Sequence, residues 1–141
     1  MSEPVCILFV GDVVGGIGKR TLLSLLPGLR DRYAPDFVVV NGENAAGGVG
    51  ITPRVADEIF AAGVDAITLG NHAYRHREVY PYLDEERRIV RPANFLRSQP
   101  GHGTCVVELS PSSGRIAAPY CCEEAPRERR RSNPGPAAAG P

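Results

Sequence analysis

The sequence predicts an α/β domain whose β-α-β-α-β start builds a parallel sheet. Three apolar runs of strand length, at residues 5–10, 37–40 and 66–69, alternate with two segments of helical patterning. Strands and helices that alternate along a chain are typical of parallel sheets joined by helical crossovers. The 141 residues, 43% of them hydrophobic, are enough for one domain with a core of its own.

The first strand and the first helix are predicted from two different apolar patterns. Residues 5–10 form a continuous apolar run, which indicates a strand covered on both faces. Cys6 lies in this run and is expected to be a buried thiol. Residues 19–33 place five leucines at helical spacing, and Pro27 followed by Gly28 predicts a break or kink in that helix.

The second helix has both of its ends marked in the sequence. Thr52 is a good N-cap, and Pro53 suits the first helical position because a proline lacks the N–H that would be unpaired there. Gly63 is predicted to end this helix. A shorter helix at residues 79–88 and a strand at 89–91 are expected to follow.

The last apolar runs predict a hairpin, after which the composition changes. Residues 104–109 and 115–118 are expected to form two strands joined by a Pro-Ser-Ser-Gly turn. The following residues are rich in proline, arginine, alanine and glycine, which predicts disorder. We therefore divide the chain into a folded part at 1–118 and a disordered tail at 119–141.

Charge, hydropathy and cysteine usage exclude several classes of protein. The 16 basic residues balance the 16 acidic residues, whereas a general nucleic-acid binder normally has a basic excess. No apolar run approaches the roughly 18 residues of a membrane span. Glu3 stands where a signal peptide needs positive charge, and the four cysteines lack the spacing of a disulfide framework. We expect a cytoplasmic protein without stable binding to nucleic acid or membrane.

Polar, glycine-flanked residues follow each of the first three predicted strands. The residues in question are Asp12, Glu43, Asn44, Asn71 and His72. Because the carboxyl ends of parallel strands meet at one edge of a sheet, we expect these side chains to converge. Carboxylates, amide oxygens and imidazole are ligands of hard or borderline divalent ions, and two such ions can hold both oxygens of a phosphoryl displacement. His72 is suited to protonate a leaving oxygen.

Taken singly, these residues have simpler interpretations. Asp12 could cap the helix that follows it, and Asn41 or Asn44 could form a turn. Three polar strand ends in succession favour a shared site over three coincidences. A P-loop is excluded as the phosphate-binding element, because Val13 and Arg20 stand where that motif requires glycine and serine or threonine.

The strand ends belong to six short motifs that occur in a fixed order. They are G-D-V-V-G at 11–15, N-G-E-N-A-A-G-G at 41–48, G-I-T at 50–52, T-L-G-N-H at 68–72, R-P-A-N at 91–94 and P-G-x-G at 100–103. In this order they resemble the bacterial YmdB-type metallophosphoesterases, a branch of the calcineurin-like phosphoesterases. The resemblance covers residues 5 to about 118. It implies part of a four-layered α/β sandwich and a metal-dependent phosphodiesterase that hydrolyses 2′,3′- or 3′,5′-cyclic nucleotides.

The resemblance also implies a role for each residue of the site. Asp12 and Asn44 would contact one metal ion, Asn71 the other, and Glu43 both, with His72 as the general acid. The two ions implied are divalent, iron first and manganese as a substitute. The implied partner is a small phosphodiester, here a cyclic nucleotide.

The chain departs from the family in its histidines. Family members are longer and complete the metal centre with further histidines from a second half, whereas this chain has only His72, His76 and His102. His76 is favoured as a surface histidine. We expect the N-terminal half of the family's domain, with exposed apolar sheet surface that favours association between copies. The alternative function is an inactive fragment or a phosphate- or metal-binding module without turnover.

Overall fold

The computed structural model describes residues 4–108 and 115–119, which form an α/β fold with two sheets. Its elements in chain order are β1 (Ile7–Val10), α1 (Gly15–Tyr33), β2 (Phe37–Asn41), α2 (Pro53–Ala61), β3 (Ala66–Thr68), α3 (Val79–Glu85), β4 (Ile89–Val90), β5 (Thr104–Glu108) and β6 (Arg115–Pro119). The predicted α/β class and its β-α-β-α-β start are confirmed. The predicted turn at 111–114 and, beyond Pro119, the predicted tail lie outside the described residues.

The larger sheet is parallel throughout and determines where the strand ends meet. Its strand order is β1-β2-β3-β4, and each neighbouring pair runs in the same direction. The carboxyl ends of all four strands therefore lie along one edge. The smaller sheet pairs β5 with β6 antiparallel, and Arg91 N donates to His102 O at 2.9 Å beside the end of β4.

One face of the parallel sheet packs against the three helices. Alternate strand residues share this face because side chains along a strand point to opposite sides. The cluster contains Leu8, Val10, Val38, Val40, Ile67 and Ile89 from the strands and Leu22, Leu26, Ala56, Ile59, Val79 and Leu83 from the helices. This apolar layer is the main core, and it holds the strands that lead to the site.

The opposite face of the sheet is covered unevenly. Phe37 and Val39 are buried there in a smaller cluster that includes Cys105 from β5. Ile7 and Phe9 share this face but remain 53% and 58% exposed, so the prediction that the first strand is covered on both faces is wrong. The physical reason is that β1 lies at the edge of the sheet, where no described element covers this side. The apolar sheet surface expected from the family resemblance is exposed here.

Two further expectations about the start of the chain differ from the structure. Cys6 is exposed rather than buried, because it precedes the same edge strand. Helix α1 begins at Gly15 and runs through Pro27 without the predicted break. Proline removes one backbone donor, but Leu22 and Leu26 fix the preceding turns of the helix in the core.

Helix α2 confirms the predicted signals at both ends. Thr52 Oγ1 accepts a hydrogen bond from Val55 N, Pro53 is the first helical residue, and Gly63 follows the helix with a φ of 95°. Helix α3 ends at Glu85, three residues before the predicted end. Within the described part of the chain, no helix combines the length and hydropathy that crossing a bilayer requires.

Candidate metal centre

Three loops at the carboxyl edge of the sheet contain all of the predicted site residues. They follow β1, β2 and β3 and contain Asp12, then Glu43 and Asn44, then Asn71 and His72. Backbone bonds tie the loops to neighbouring strands, since Val13 N donates to Asn41 O and Gly42 N donates to Thr68 O, both at 3.0 Å. Backbone hydrogen bonds therefore hold in place the loops whose convergence the strand ends predicted.

Asp12, Asn44 and His72 form one hydrogen-bonded chain across the three loops. Asn44 Nδ2 donates to Asp12 Oδ1 at 2.7 Å, and His72 Nδ1 lies 2.7 Å from Asn44 Oδ1. Because an amide oxygen only accepts, the proton of this second bond belongs to His72 Nδ1. His72 Nε2 is then the ring nitrogen left for a ligand or a substrate.

The conformation of Asp12 does not fit a simple helix cap. The N-cap of α1 is Val14, and no side chain bonds to its free N–H groups. Asp12 instead has a positive φ of 35°, a region that residues other than glycine adopt at a cost in energy. Such strain is retained mostly where surrounding structure and function require it. The side chain of Asp12 therefore bonds to Asn44 across the loops and does not cap the helix.

Glu43 lies against the backbone of the loop after β3 with one oxygen unpaired. A Cβ at Gly70 would collide with Glu43 Oε2, so only glycine permits this close approach. Glu43 Oε2 is buried and has no hydrogen-bond partner. A buried carboxylate oxygen is costly unless a donor or a cation satisfies it. A donor or a cation is therefore expected at this oxygen, and the carboxylate and amide oxygens of this edge are of the kind that divalent ions take as ligands.

Asn71 and the remaining histidines are placed differently. Asn71 is exposed directly after Gly70. His76 Nε2 lies 2.9 Å from Val49 O, and His102 Nε2 lies 3.2 Å from Asp84 O, so neither imidazole joins the hydrogen-bonded chain. Among the described residues, no three His, Cys, Asp or Glu side chains gather into a group that could hold an ion.

The loop that contains His72 is held from behind by aromatic side chains. Tyr74 OH donates to Pro100 O at 2.8 Å, and Tyr80 OH donates to Tyr74 O at 3.0 Å. The Tyr74 ring also packs beside Phe95, with ring centroids 5.8 Å apart. Burial raises the pKa of Tyr74, so this hydroxyl keeps its proton and its bond at neutral pH. These contacts fix the position of His72 two residues earlier.

A cavity of about 270 Å³ lies beside the site but does not contain it. It lies between the end of β1 and helix α1, and Asp12 is the only predicted site residue among those that line it. Val10, Leu22 and Leu25 make most of its wall apolar.

Sequence reasoning missed three residues beneath the site. Gly70 permits the close approach of Glu43, and Asn41 and Thr68 are buried polar residues at the last positions of β2 and β3. A polar residue that ends an otherwise apolar strand was the available signal. The residue opposite it on the neighbouring strand could not be inferred, because the sequence does not give the register between the strands.

Comparison with known proteins relates the chain to one family. The family model described as YmdB-like protein matches residues 8–118. The 2′,3′-cyclic-nucleotide 2′-phosphodiesterase of Bacillus subtilis (strain 168) is 42% identical to this chain over 104 residues, which are 74% of this chain and 39% of that protein.

Two crystal structures are similar in both sequence and fold. A hypothetical protein from Thermus thermophilus has a TM-score of 0.70 and 42% identity, and the match covers 79% of this chain and 42% of that one. A novel phosphatase from Mycoplasma pneumoniae has a TM-score of 0.74 and 30% identity, with coverages of 83% and 42%. The chain spans about two fifths of the length of these relatives. The family match extends over all three loops of the site and the six motifs, and the chain therefore belongs to the YmdB-like protein family.

Proposed function

We propose that the carboxyl edge of the parallel sheet is the site of a metal-dependent phosphodiesterase that hydrolyses cyclic nucleotides. The observation that supports this most is the hydrogen-bonded chain of Asp12, Asn44 and His72, which three loops bring to one edge of the sheet beside the carboxylate of Glu43. The name of the Bacillus subtilis relative supports 2′,3′-cyclic nucleotides as the first substrates to test. The 3′,5′-cyclic nucleotides are the second.

The charges of the site support a requirement for cations. Its five side chains include two carboxylates and no lysine or arginine, so a phosphodiester anion would be repelled without a bound cation. In the proposed arrangement Asp12 and Asn44 would hold one divalent ion, Asn71 would hold a second, and Glu43 would contribute to both. Iron is the proposed ion and manganese a substitute. When bound, such ions supply Lewis acidity to the phosphoryl oxygens and activate the attacking water.

In this proposal the residues of the chain position the reacting groups and transfer one proton. Asn44 fixes both Asp12 and the ring of His72, because its amide group bonds to both. With Nδ1–H of His72 held by Asn44 Oδ1, the Nε2–H of the protonated imidazole is free to donate to the departing sugar oxygen.

The proposal is tested by turnover of 2′,3′-cyclic AMP by the purified full chain with Mn²⁺. We expect His72→Ala to lower kcat by about 10²- to 10⁴-fold, the usual contribution of a general acid, and to leave the apparent Mn²⁺ affinity within about threefold. His102→Ala is the matched control, because its imidazole faces Asp84 O outside the site. Equal turnover by wild type and His72→Ala would contradict the proposed role.

A binding module without turnover is the second candidate. Two observations favour it: the chain spans about two fifths of its relatives' length, and the described residues contain no group of three acidic, histidine or cysteine ligands. Saturable Mn²⁺ binding by a folded chain that hydrolyses none of the cyclic nucleotides would support this candidate over the enzyme.

The remaining expectations about partners are also proposals. We propose that the chain acts on a small molecule in the cytoplasm and does not bind nucleic acid or membrane stably. Association between copies through the exposed face of β1 is proposed from Ile7 and Phe9, whose side chains lie open to solvent. Sedimentation velocity at two concentrations tests that association.

A further inference from the structure

Three buried oxygens beneath the candidate metal centre have no hydrogen-bond partner. They are Asn41 Oδ1, Glu43 Oε2 and Thr68 Oγ1. Asn41 and Thr68 are only 8% and 4% exposed, so bulk solvent does not satisfy them. Buried polar atoms in folded proteins are almost always paired with protein groups or ordered water. Two such atoms in adjacent strands and a third in the loop after β2 therefore require an explanation.

The three oxygens lie on the same side of the sheet. Asn41 pairs in register with Thr68 on adjacent parallel strands, so their side chains are neighbours on one face, roughly 5 Å apart at the backbone. Glu43 reaches the same place from the loop that follows β2, because its carboxylate lies against Gly70, two residues after Thr68. Leu69 N donates to Val90 O at 2.8 Å, so the strand pairing continues past Thr68, and alternation puts Gly70 on the same face as Thr68.

The chemistry of these atoms defines the missing group. Asn41 Oδ1 and Glu43 Oε2 only accept hydrogen bonds, whereas the hydroxyl of Thr68 can donate one. A single water molecule has the hydrogen-bonding groups that all three need, because it can donate to the amide and the carboxylate and accept from the hydroxyl. A buried water typically makes about three hydrogen bonds to groups that would otherwise be unpaired.

We propose that Asn41 and Thr68 are positioning residues that hold one buried water against Glu43. The water fixes the orientation of the carboxylate from below through Oε2, which leaves Glu43 Oε1 for the metal centre. The expected effect on metal affinity rests on the proposed function, since the orientation of Glu43 matters only if Glu43 binds the ions. Partners of this kind behind a metal ligand typically change metal affinity by about 10- to 100-fold.

The first test is a crystal structure of the full chain without metal. We expect electron density for one water within hydrogen-bond distance, about 2.7–3.2 Å, of Asn41 Oδ1, Glu43 Oε2 and Thr68 Oγ1. A structure that shows no water there, or a protein donor on these atoms, overturns the proposal. This result does not depend on whether the chain is an enzyme.

The second test is Mn²⁺ affinity measured by calorimetry on three variants. Thr68→Val keeps the shape of the side chain but cannot donate, and it is expected to weaken Mn²⁺ binding by about tenfold or more. Thr68→Ser keeps the hydroxyl and is expected to stay within about threefold of wild type, a rescue that a purely structural role for the methyl group would not give. Thr104→Val, at an exposed position in β5, is the matched control and is expected to leave the affinity unchanged.

The outcomes separate this inference from the proposed function. Equal Mn²⁺ affinity of wild type and Thr68→Val overturns the positioning role. Should Thr68→Val not fold, Asn41→Leu removes the neutral acceptor of the proposed water and is expected to weaken Mn²⁺ binding by a similar factor. A wild-type chain that binds no Mn²⁺ contradicts the proposed function, and the crystal structure alone then decides whether the water is present.

Discussion

Strands β1 and β2 have nearly the same composition but opposite surroundings. Each is a short run of apolar residues, I-L-F-V in one and F-V-V-V-N in the other. All five residues of β2 are buried, whereas Ile7 and Phe9 of β1 are more than half exposed. The difference arises because β2 has a strand on each side and β1 has a strand on one side only. Apolar composition therefore predicts that a strand forms, but not on how many sides it is covered.

The site residues that follow these two strands differ in burial in the same way. Asp12 follows the edge strand and is exposed, while Glu43 follows the central strand and lies partly buried against Gly70. We therefore expect changes behind β2 to affect both stability and the site. Changes at the end of β1 should affect the site alone.

The largest expected effect compares two phenylalanines on the same face of the sheet. Phe37 in β2 is 1% exposed and Phe9 in β1 is 58% exposed. Phe37→Ala should lower the free energy of unfolding by about 3–5 kcal/mol, because it leaves a cavity in a packed cluster. Phe9→Ala should change it by no more than about 0.5 kcal/mol. Urea denaturation of both variants measures the difference, and equal losses would show that β1 is covered after all.

A second comparison uses two glycines, one behind the proposed metal centre and one inside a helix, to separate an effect on metal binding from an effect on stability. A Cβ at Gly70 would displace the Glu43 carboxylate, so Gly70→Ala should lower Mn²⁺ affinity about tenfold or more. Gly28 lies inside α1, where a Cβ would meet nothing within 4 Å, and Gly28→Ala should stabilise the fold by about 0.5–1 kcal/mol. Calorimetric titration with Mn²⁺ and urea denaturation give both numbers. Unchanged Mn²⁺ binding by Gly70→Ala would argue against a role for Glu43.

A third substitution tests whether the end of the edge strand serves chemistry alone. Asp12→Asn keeps the size of the side chain, an acceptor for Asn44 and a residue type that tolerates positive φ. The free energy of unfolding should stay within about 0.5 kcal/mol of wild type. Mn²⁺ affinity should fall, because a carboxylate charge is lost. A large loss of stability without a loss of affinity would reverse the assigned role.

The smallest effect is expected at the opposite edge of the sheet, before β4. Hydrogen bonds from the Arg88 side chain lower the pKa of Glu86. The stabilisation from this pair is therefore fully present above the ordinary glutamate pKa of about 4.3 and is lost as the pH falls through the lowered pKa of the folded state. The pair is partly exposed, so Glu86→Gln should cost less than about 1 kcal/mol at pH 7.

Urea denaturation at pH 7 and pH 3 measures this effect directly. Wild type and Glu86→Gln should differ at pH 7 and converge at the lower pH. A difference that grows on acidification would contradict the depressed pKa of Glu86.

Local sequence signals predicted some elements closely and others not at all. The ends of α2 depend on Thr52, Pro53 and Gly63, whose capping preferences act within a few residues, and the structure confirms them. The exposure of β1 and the unbroken course of α1 through Pro27 depend on packing between distant segments, and the sequence patterns did not contain that information.

The candidate site shows the same division. The strand ends predicted that Asp12, Asn44 and His72 would meet, because parallel topology alone brings them to one edge. The pairing of Asn41 with Thr68 depends on the register between β2 and β3, which apolar runs do not specify. The support beneath Glu43 therefore became visible only in the structure.

The most direct test of whether the carboxyl ends of β1, β2 and β3 form one metal centre is isothermal titration calorimetry with Mn²⁺. The titration compares the wild-type chain with Glu43→Gln. In the proposed centre Glu43 would contact both ions. We predict saturable binding by the wild type with two sites per chain, and loss of most of that binding in Glu43→Gln, which keeps the size of the side chain. Binding that is unchanged in Glu43→Gln would contradict the proposed centre.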